Sequence, residues 1–126
     1  MKKFTILVYE DDDTWREAFI YNMGARMKVA GTELKITSRD DGDSIDEDLL
    51  CCANLIMVDH DLNGITGDEI IAHIEGDPDY RESSIFYFSG GETLDDLEAR
   101  VEEFDCQIRC FTKEGNDLNN AVFALI

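Results

Sequence analysis

Residues 55–61 read Leu55-Ile56-Met57-Val58-Asp59-His60-Asp61, a short apolar run that stops on acid. The same shape opens the chain, where Ile6-Leu7-Val8-Tyr9 runs into Glu10-Asp11-Asp12-Asp13. Apolar runs of this length, containing β-branched residues, read as strands buried on both faces, the condition of strands in a parallel sheet. In open α/β sheets, ligands bind outside the carboxyl ends of the strands. If these two strands are neighbours, Glu10, Asp11 and Asp59 meet in one pocket.

Outward from these two runs, further strand candidates lie at Glu33–Thr37, Ser84–Phe88 and Gln107–Thr112, joining Phe4–Tyr9 and Asn54–Asp59. The segments between them are long enough for helices. Asp12 or Asp13 can cap a helix containing Trp15, Phe19, Ile20 and Met23 that ends before Gly31. Asp43 to Leu50 carries Ile45, Leu49 and Leu50 at helical spacing, and Gly67 to Ile74 carries Ile70, Ile71 and Ile74. Thr93 can cap a helix presenting Leu94, Leu97, Val101 and Phe104. Asn116 or Asp117 can start a last one with Leu118, Val122 and Leu125. Five alternating βα units imply an α/β domain with right-handed crossovers and a mostly parallel sheet covered on both faces. There is no repeat, linker or low-complexity tract, and Pro78 marks a loop before the fourth strand.

The chain has 126 residues, 44% of them apolar, which suits one domain with one core spanning residues 1–126. Its 11 basic and 29 acidic residues give a formal charge of −18, which argues against binding nucleic acid or an anionic membrane surface. The apolar stretch Phe4 to Tyr9 is too short for a signal peptide or a membrane span, so a cytoplasmic location is expected. Cys51 and Cys52 are adjacent, and Cys106 and Cys110 on one strand would lie roughly 13 Å apart at about 3.3 Å per residue. Buried, reduced thiols are expected, and zinc-ligand spacing is absent. His60 and His73 read as packing residues, His60 pointing away from Asp59 by strand alternation.

At strand carboxyl ends stand Glu10-Asp11, Asp59, Ser89-Gly90-Gly91 and Lys113, in that order. This set, with the strings Ile-Leu-Val-Tyr-Glu-Asp-Asp, Leu-Ile-Met-Val-Asp-His-Asp-Leu-Asn-Gly-Ile-Thr-Gly and Phe-Thr-Lys, resembles the receiver domain of two-component response regulators over essentially the whole chain. The separation 89 − 59 = 30 matches that family's spacing of acceptor aspartate and hydroxyl residue, while 113 − 89 = 24 is slightly longer than usual. The resemblance implies a (βα)5 flavodoxin-like, doubly wound parallel sheet of strand order 2-1-3-4-5.

Three crowded carboxylates repel one another by roughly 1–4 kcal/mol per close pair, and a divalent cation relieves this. Magnesium takes one or two carboxylates plus waters and phosphate oxygens, so Asp11 and Asp59 as direct ligands with Glu10 acting through water form a plausible hard-oxygen site. The resemblance adds the backbone carbonyl of Asp61 as a ligand. It makes Asp59 the phosphoacceptor for a histidine kinase or histidine phosphotransfer protein, Lys113 a counter-charge and Ser89 a hydrogen-bond donor to the transferred phosphoryl. Gly90 leaves room beside the acceptor. Output would pass to a downstream effector protein or through a homodimer, with no catalysis beyond the domain's own phosphotransfer and dephosphorylation.

The chain departs from that family in four places. Asn63 and Glu114 stand where prolines are usual, Cys110 replaces an aromatic switch residue with Phe111 one place later, and Asp61 adds a negative side chain at the pocket rim. A receiver-shaped interaction module that is never phosphorylated is therefore an alternative reading. A calcium loop on Asp59, Asp61 and Asn63 is another, although its twelfth position is Ile70 instead of a glutamate. A strand ending in Asp-x-Asp also suggests haloacid-dehalogenase phosphatases, which carry it on the first strand and not the third.

Overall fold

A computed structural model describes residues 2–39, 50, 52–62, 64–78, 80 and 83–126. Among the described residues seven strands and four helices follow one another as β1 (Lys2–Tyr9), α1 (Asp13–Ala30), β2 (Thr32–Arg39), β3 (Leu55–Asp59), β4 (Asp61–Leu62), β5 (Ile65–Thr66), α2 (Gly67–Glu75), β6 (Ser84–Ser89), α3 (Leu94–Val101), β7 (Ile108–Thr112) and α4 (Asp117–Ala124). The five long strands form one all-parallel sheet in the order β2-β1-β3-β6-β7. Counting those five alone, this is the order 2-1-3-4-5. The two-residue strands β4 and β5 make a separate antiparallel ladder directly after β3. The helix expected at residues 43–50 lies outside the described residues except for Leu50, which is buried in the core.

Strand alternation divides the core into two layers. Leu7, Tyr9, Ile56, Val58, Ile85 and Tyr87 face Ile70, Ile71 and Ile74 of α2 and Leu97 and Val101 of α3. Phe4, Ile6, Val8, Leu55, Met57, Phe86 and Phe88 face Phe19 and Met23 of α1 and Leu118 and Val122 of α4. Every residue of β3 is buried, which is why its sequence is a continuous apolar run instead of an alternating one.

The caps act where the polar residues suggested. Of the two candidates for the first helix, Asp12 is the cap, its side chain accepting the Trp15 N–H, and Gly31 closes the helix in the left-handed region at φ 71°. Thr93 caps α3 by accepting the Asp96 N–H. The residue before α4 is Asn116, without a side-chain capping bond.

Several packing expectations are corrected. Ile20, Leu94 and Leu125 remain 37%, 43% and 40% exposed; Leu94 is the first residue of α3 and Leu125 lies just past the end of α4. His73 sits on the exposed side of α2, since Ile70, Ile71 and Ile74 occupy the helix face against the sheet. The expected burial of the thiols is not met among the described residues: Cys52 is exposed and Cys106 and Cys110 are part-buried, Cys110 because β7 is an edge strand, while Cys51 lies outside the described residues.

Candidate functional site

The chain leaves β1 towards β2 on one side, and β3 pairs with β1 on the other, so the carboxyl ends of β1 and β3 flank the point where strand order reverses. Glu10 and Asp11 follow β1, and Asp59 ends β3. Their carboxylate oxygens lie within 4.8 Å of one another, the one group of possible metal ligands among the described residues. Glu10 and Asp59 are buried, with 0% and 2% exposure, and Asp11 is half-buried.

Lys113, in the loop after β7, brings the counter-charge. Its Nζ lies 2.9 Å from Glu10 Oε2 and 3.4 Å from Asp59 Oδ2. The ammonium also lies 5.2 Å from the centre of the Trp15 ring, within cation–π range. Trp15 in turn stacks on Phe19 and Phe88 at centroid distances of 5.4 and 4.9 Å. The space beside Gly90 is filled by the Lys113 stem, whose Cδ would stand 3.4 Å from a Cβ there. The Lys113–Glu114 peptide bond is trans.

One ammonium against three acids leaves the pocket short of positive charge. Burial first, then hydrogen bonding and repulsion from Glu10, push the Asp59 carboxyl up to about 8 against the pull of Lys113 and the Asp61 backbone N–H. Burial and Glu10 also raise Asp11. Burial would lower Lys113, but its bond to Glu10 and the charges of Asp59 and Glu10 outweigh this and raise it, keeping it an ammonium. Asp59 Oδ1 is buried without a hydrogen-bond partner. An orphaned carboxylate oxygen beside two further acids fits a small hard cation.

Ser89 and Asp61 meet each other. Ser89 is fully buried at the end of β6, and its hydroxyl donates to Asp61 Oδ2 at 3.1 Å. Ser89 Oγ itself accepts the backbone N–H groups of Gly91 and Glu92 at 3.0 and 3.1 Å. Asp61 is exposed and belongs to the β4–β5 ladder, opposite Thr66. The acids flanking the cluster have other duties: Asp12 caps α1, its N–H donating to Glu10 Oε1 at 2.9 Å, and Asp13 pairs with Arg16. Arg16 also donates to the Glu10 carbonyl at 2.6 Å, tying the β1 end to α1.

Three contacts around the site were not foreseen from the chain alone. Gly67 opens α2 so close to β3 that a Cβ there would stand 2.4 Å from the Asp59 carbonyl oxygen and 2.7 Å from Tyr87 Cε1. The signal was present in the Ile-Thr-Gly string, as a glycine at a helix start without a turn to require it. His60 is buried with its ring edge-on to Tyr87, and its Nδ1 hydrogen-bonds the Tyr87 hydroxyl. This is the packing role expected of it, with Tyr87 as the unforeseen partner. Trp15 read as a core residue of α1, and nothing in its spacing announced Lys113. The calcium-loop alternative meets a strand where an entering helix belongs, and Ile70 at its twelfth position is buried in the core. Asn63 lies outside the described residues.

No family model matches the sequence, and no curated protein does. Solved structures do. The chain is similar to a response regulator receiver domain from Methylobacillus flagellatus, at 14% identity and TM-score 0.75 over 99% of this chain and 100% of that one. It is similar to the chemotaxis protein CheY4 of Vibrio cholerae, at 14% identity and TM-score 0.75 over 98% and 99%. The response regulator TrrA of Thermotoga maritima, solved with Mg2+ and BeF, is 17% identical with TM-score 0.70 over 100% of both chains. Strand order, helix placement and coverage agree, and the chain has the fold of the response-regulator receiver domains.

Proposed function

We propose that residues 1–126 form a receiver domain that accepts a phosphoryl group on Asp59 in a Mg2+-dependent reaction and thereby switches a partner-binding face. The observation that carries this reading is the buried Asp59 carboxylate, with one orphaned oxygen, set between two further acids and the Lys113 ammonium. The donor is a phosphohistidine on a histidine kinase or a histidine phosphotransfer protein. Asp59 attacks phosphorus, and the P–O bond forms as the P–N bond breaks. The electron pair stays on the imidazole nitrogen, which takes up a proton, and the product is an aspartyl phosphate.

Asp11 and Asp59, the Asp61 carbonyl, and Glu10 through water would hold the cation. When bound, magnesium supplies charge that offsets the carboxylate repulsion and the developing charge on the phosphoryl oxygens. Lys113 holds a fixed ammonium 3.4 Å from the acceptor, which orients and neutralises at once. Ser89 binds the transferred phosphoryl, drawing its loop inward and changing the surface of α3, β7 and α4 for an effector protein or a second copy. The domain is a cytoplasmic signalling module without other catalysis. Among the described residues no helix is long and apolar enough to cross a membrane.

The test is intact mass after incubation with magnesium and a small acyl phosphate, with Asp59→Asn as control. The expected result is a base-labile phosphoryl adduct on the wild type alone. No adduct and no beryllofluoride binding would point to an interaction module that works without phosphorylation.

A further inference from the structure

Ser89 has no hydrogen-bonding capacity left. A serine hydroxyl offers one proton and two lone pairs. Here the proton goes to Asp61 Oδ2, and the lone pairs accept the N–H groups of Gly91 and Glu92. A phosphoryl oxygen on Asp59 can only accept, so Ser89 can reach it only by giving up Asp61.

Asp61 is well placed to act as a rival acceptor. It lies two residues after Asp59, is held in the β4–β5 ladder, and its carboxylate mimics the charge and acceptor character of a phosphoryl oxygen. We propose that Asp61 is a positioning residue that retains the Ser89 hydroxyl in the resting state, so that the phosphoryl group must displace a charged acceptor already in place. The affinity of the switched state for a phosphoryl mimic is then lowered by the Asp61–Ser89 bond. Reciprocally, any change that draws Asp61 away prepares Ser89 for the phosphoryl. This inference rests on the phosphoacceptor reading of Asp59.

The experiment titrates wild type, Asp61→Ala, Ser89→Ala and the double variant with beryllofluoride in the presence of Mg2+, with Asp61→Asn as a variant that keeps an acceptor but loses the charge. Asp61→Ala is expected to bind about tenfold tighter than wild type, the size of one charge-assisted hydrogen bond, with Asp61→Asn between the two. In the Ser89→Ala background the gain is expected to vanish. A gain that persists there would reduce Asp61 to simple charge repulsion and overturn the proposal, as would an Asp61→Ala protein no tighter than wild type.

A second readout needs neither metal nor mimic. In 1H–15N spectra of the free protein, the Gly91 and Glu92 amides, whose acceptor is Ser89, are expected to shift in Asp61→Ala. If they stay in place, Asp61 does not hold Ser89 and the proposal falls while mimic binding by the wild type still stands. If they shift but no protein binds beryllofluoride, the phosphoacceptor reading has failed, and the Asp61–Ser89 bond is only a loop anchor.

Discussion

Lys113 Nζ lies nearer to Glu10 (2.9 Å) than to Asp59 (3.4 Å), so in the metal-free protein its charge is committed first to the most buried acid of the pocket. Removing that ammonium leaves the buried Glu10 carboxylate uncompensated and pushes the neighbouring Asp59 carboxyl further up. Lys113→Ala is expected to cost about 2–4 kcal/mol in urea unfolding at neutral pH without magnesium. The deficit shrinks when magnesium is added, because the cation supplies the missing charge.

Asp59 sets a pH dependence of stability. Its carboxyl is near 3.8 when unfolded and is pushed to about 8 in the folded chain, chiefly by burial. Between these values the folded state binds more protons than the unfolded one, so this group's contribution to stability falls as pH rises from about 4 to about 8. Thermal melts of metal-free protein are expected to show Asp59→Asn melting several degrees above wild type at pH 8 and losing that advantage near pH 4. Magnesium should raise the wild-type midpoint at pH 8 and leave Asp59→Asn nearly unmoved.

Trp15, the sole tryptophan, carries the Lys113 ammonium over its face. Magnesium redistributes charge around Lys113, so titration should give a saturable change in tryptophan fluorescence. Asp59→Asn and Lys113→Ala are each expected to abolish it. A wild-type signal that does not saturate would separate Trp15 from the acid cluster.

Gly67 admits no side chain. A Cβ would meet the Asp59 backbone at 2.4 Å, and backbone has little room to retreat. Gly67→Ala is expected to lose about 2–3 kcal/mol of stability and, under conditions where it remains folded, to form the Asp59 adduct more slowly. Chemical denaturation and intact mass check the two effects separately.

Cys110 tests the edge strand away from the pocket. Burial and then the nearby Glu98 push its thiol up to about 11. At pH 8 its thiolate fraction is therefore about a hundredfold below that of an ordinary thiol near 9.0, and peptide-resolved alkylation should be correspondingly slow in the folded protein and fast in urea.

Much of the fold was legible before any coordinates. The five main strands, and every helix expected within the described residues, appear within a few residues of their places, because burial on both faces writes an apolar run and a helix stripe writes its own period. The acids Glu10, Asp11 and Asp59 were legible for the same reason: a polar residue directly after a doubly buried strand has only the sheet's carboxyl edge to occupy. The short β4–β5 ladder was not legible, since two residues per strand carry no periodicity. The exposure of His73 was missed because isoleucines on both sides in sequence do not mean isoleucines on both sides of a helix.

Local order in the chain thus decided element type, element order and membership of the acid cluster. Pairing was decided by folding: Ser89 with Asp61 across 28 residues, His60 with Tyr87 across 27, and Lys113 with Trp15 across 113 − 15 = 98. Periodicity records which face of an element is dry, and it is blind to which polar group on another element fills a remaining lone pair. That choice depends on distances of a few tenths of an ångström between loops, and these exist only once both core layers are packed.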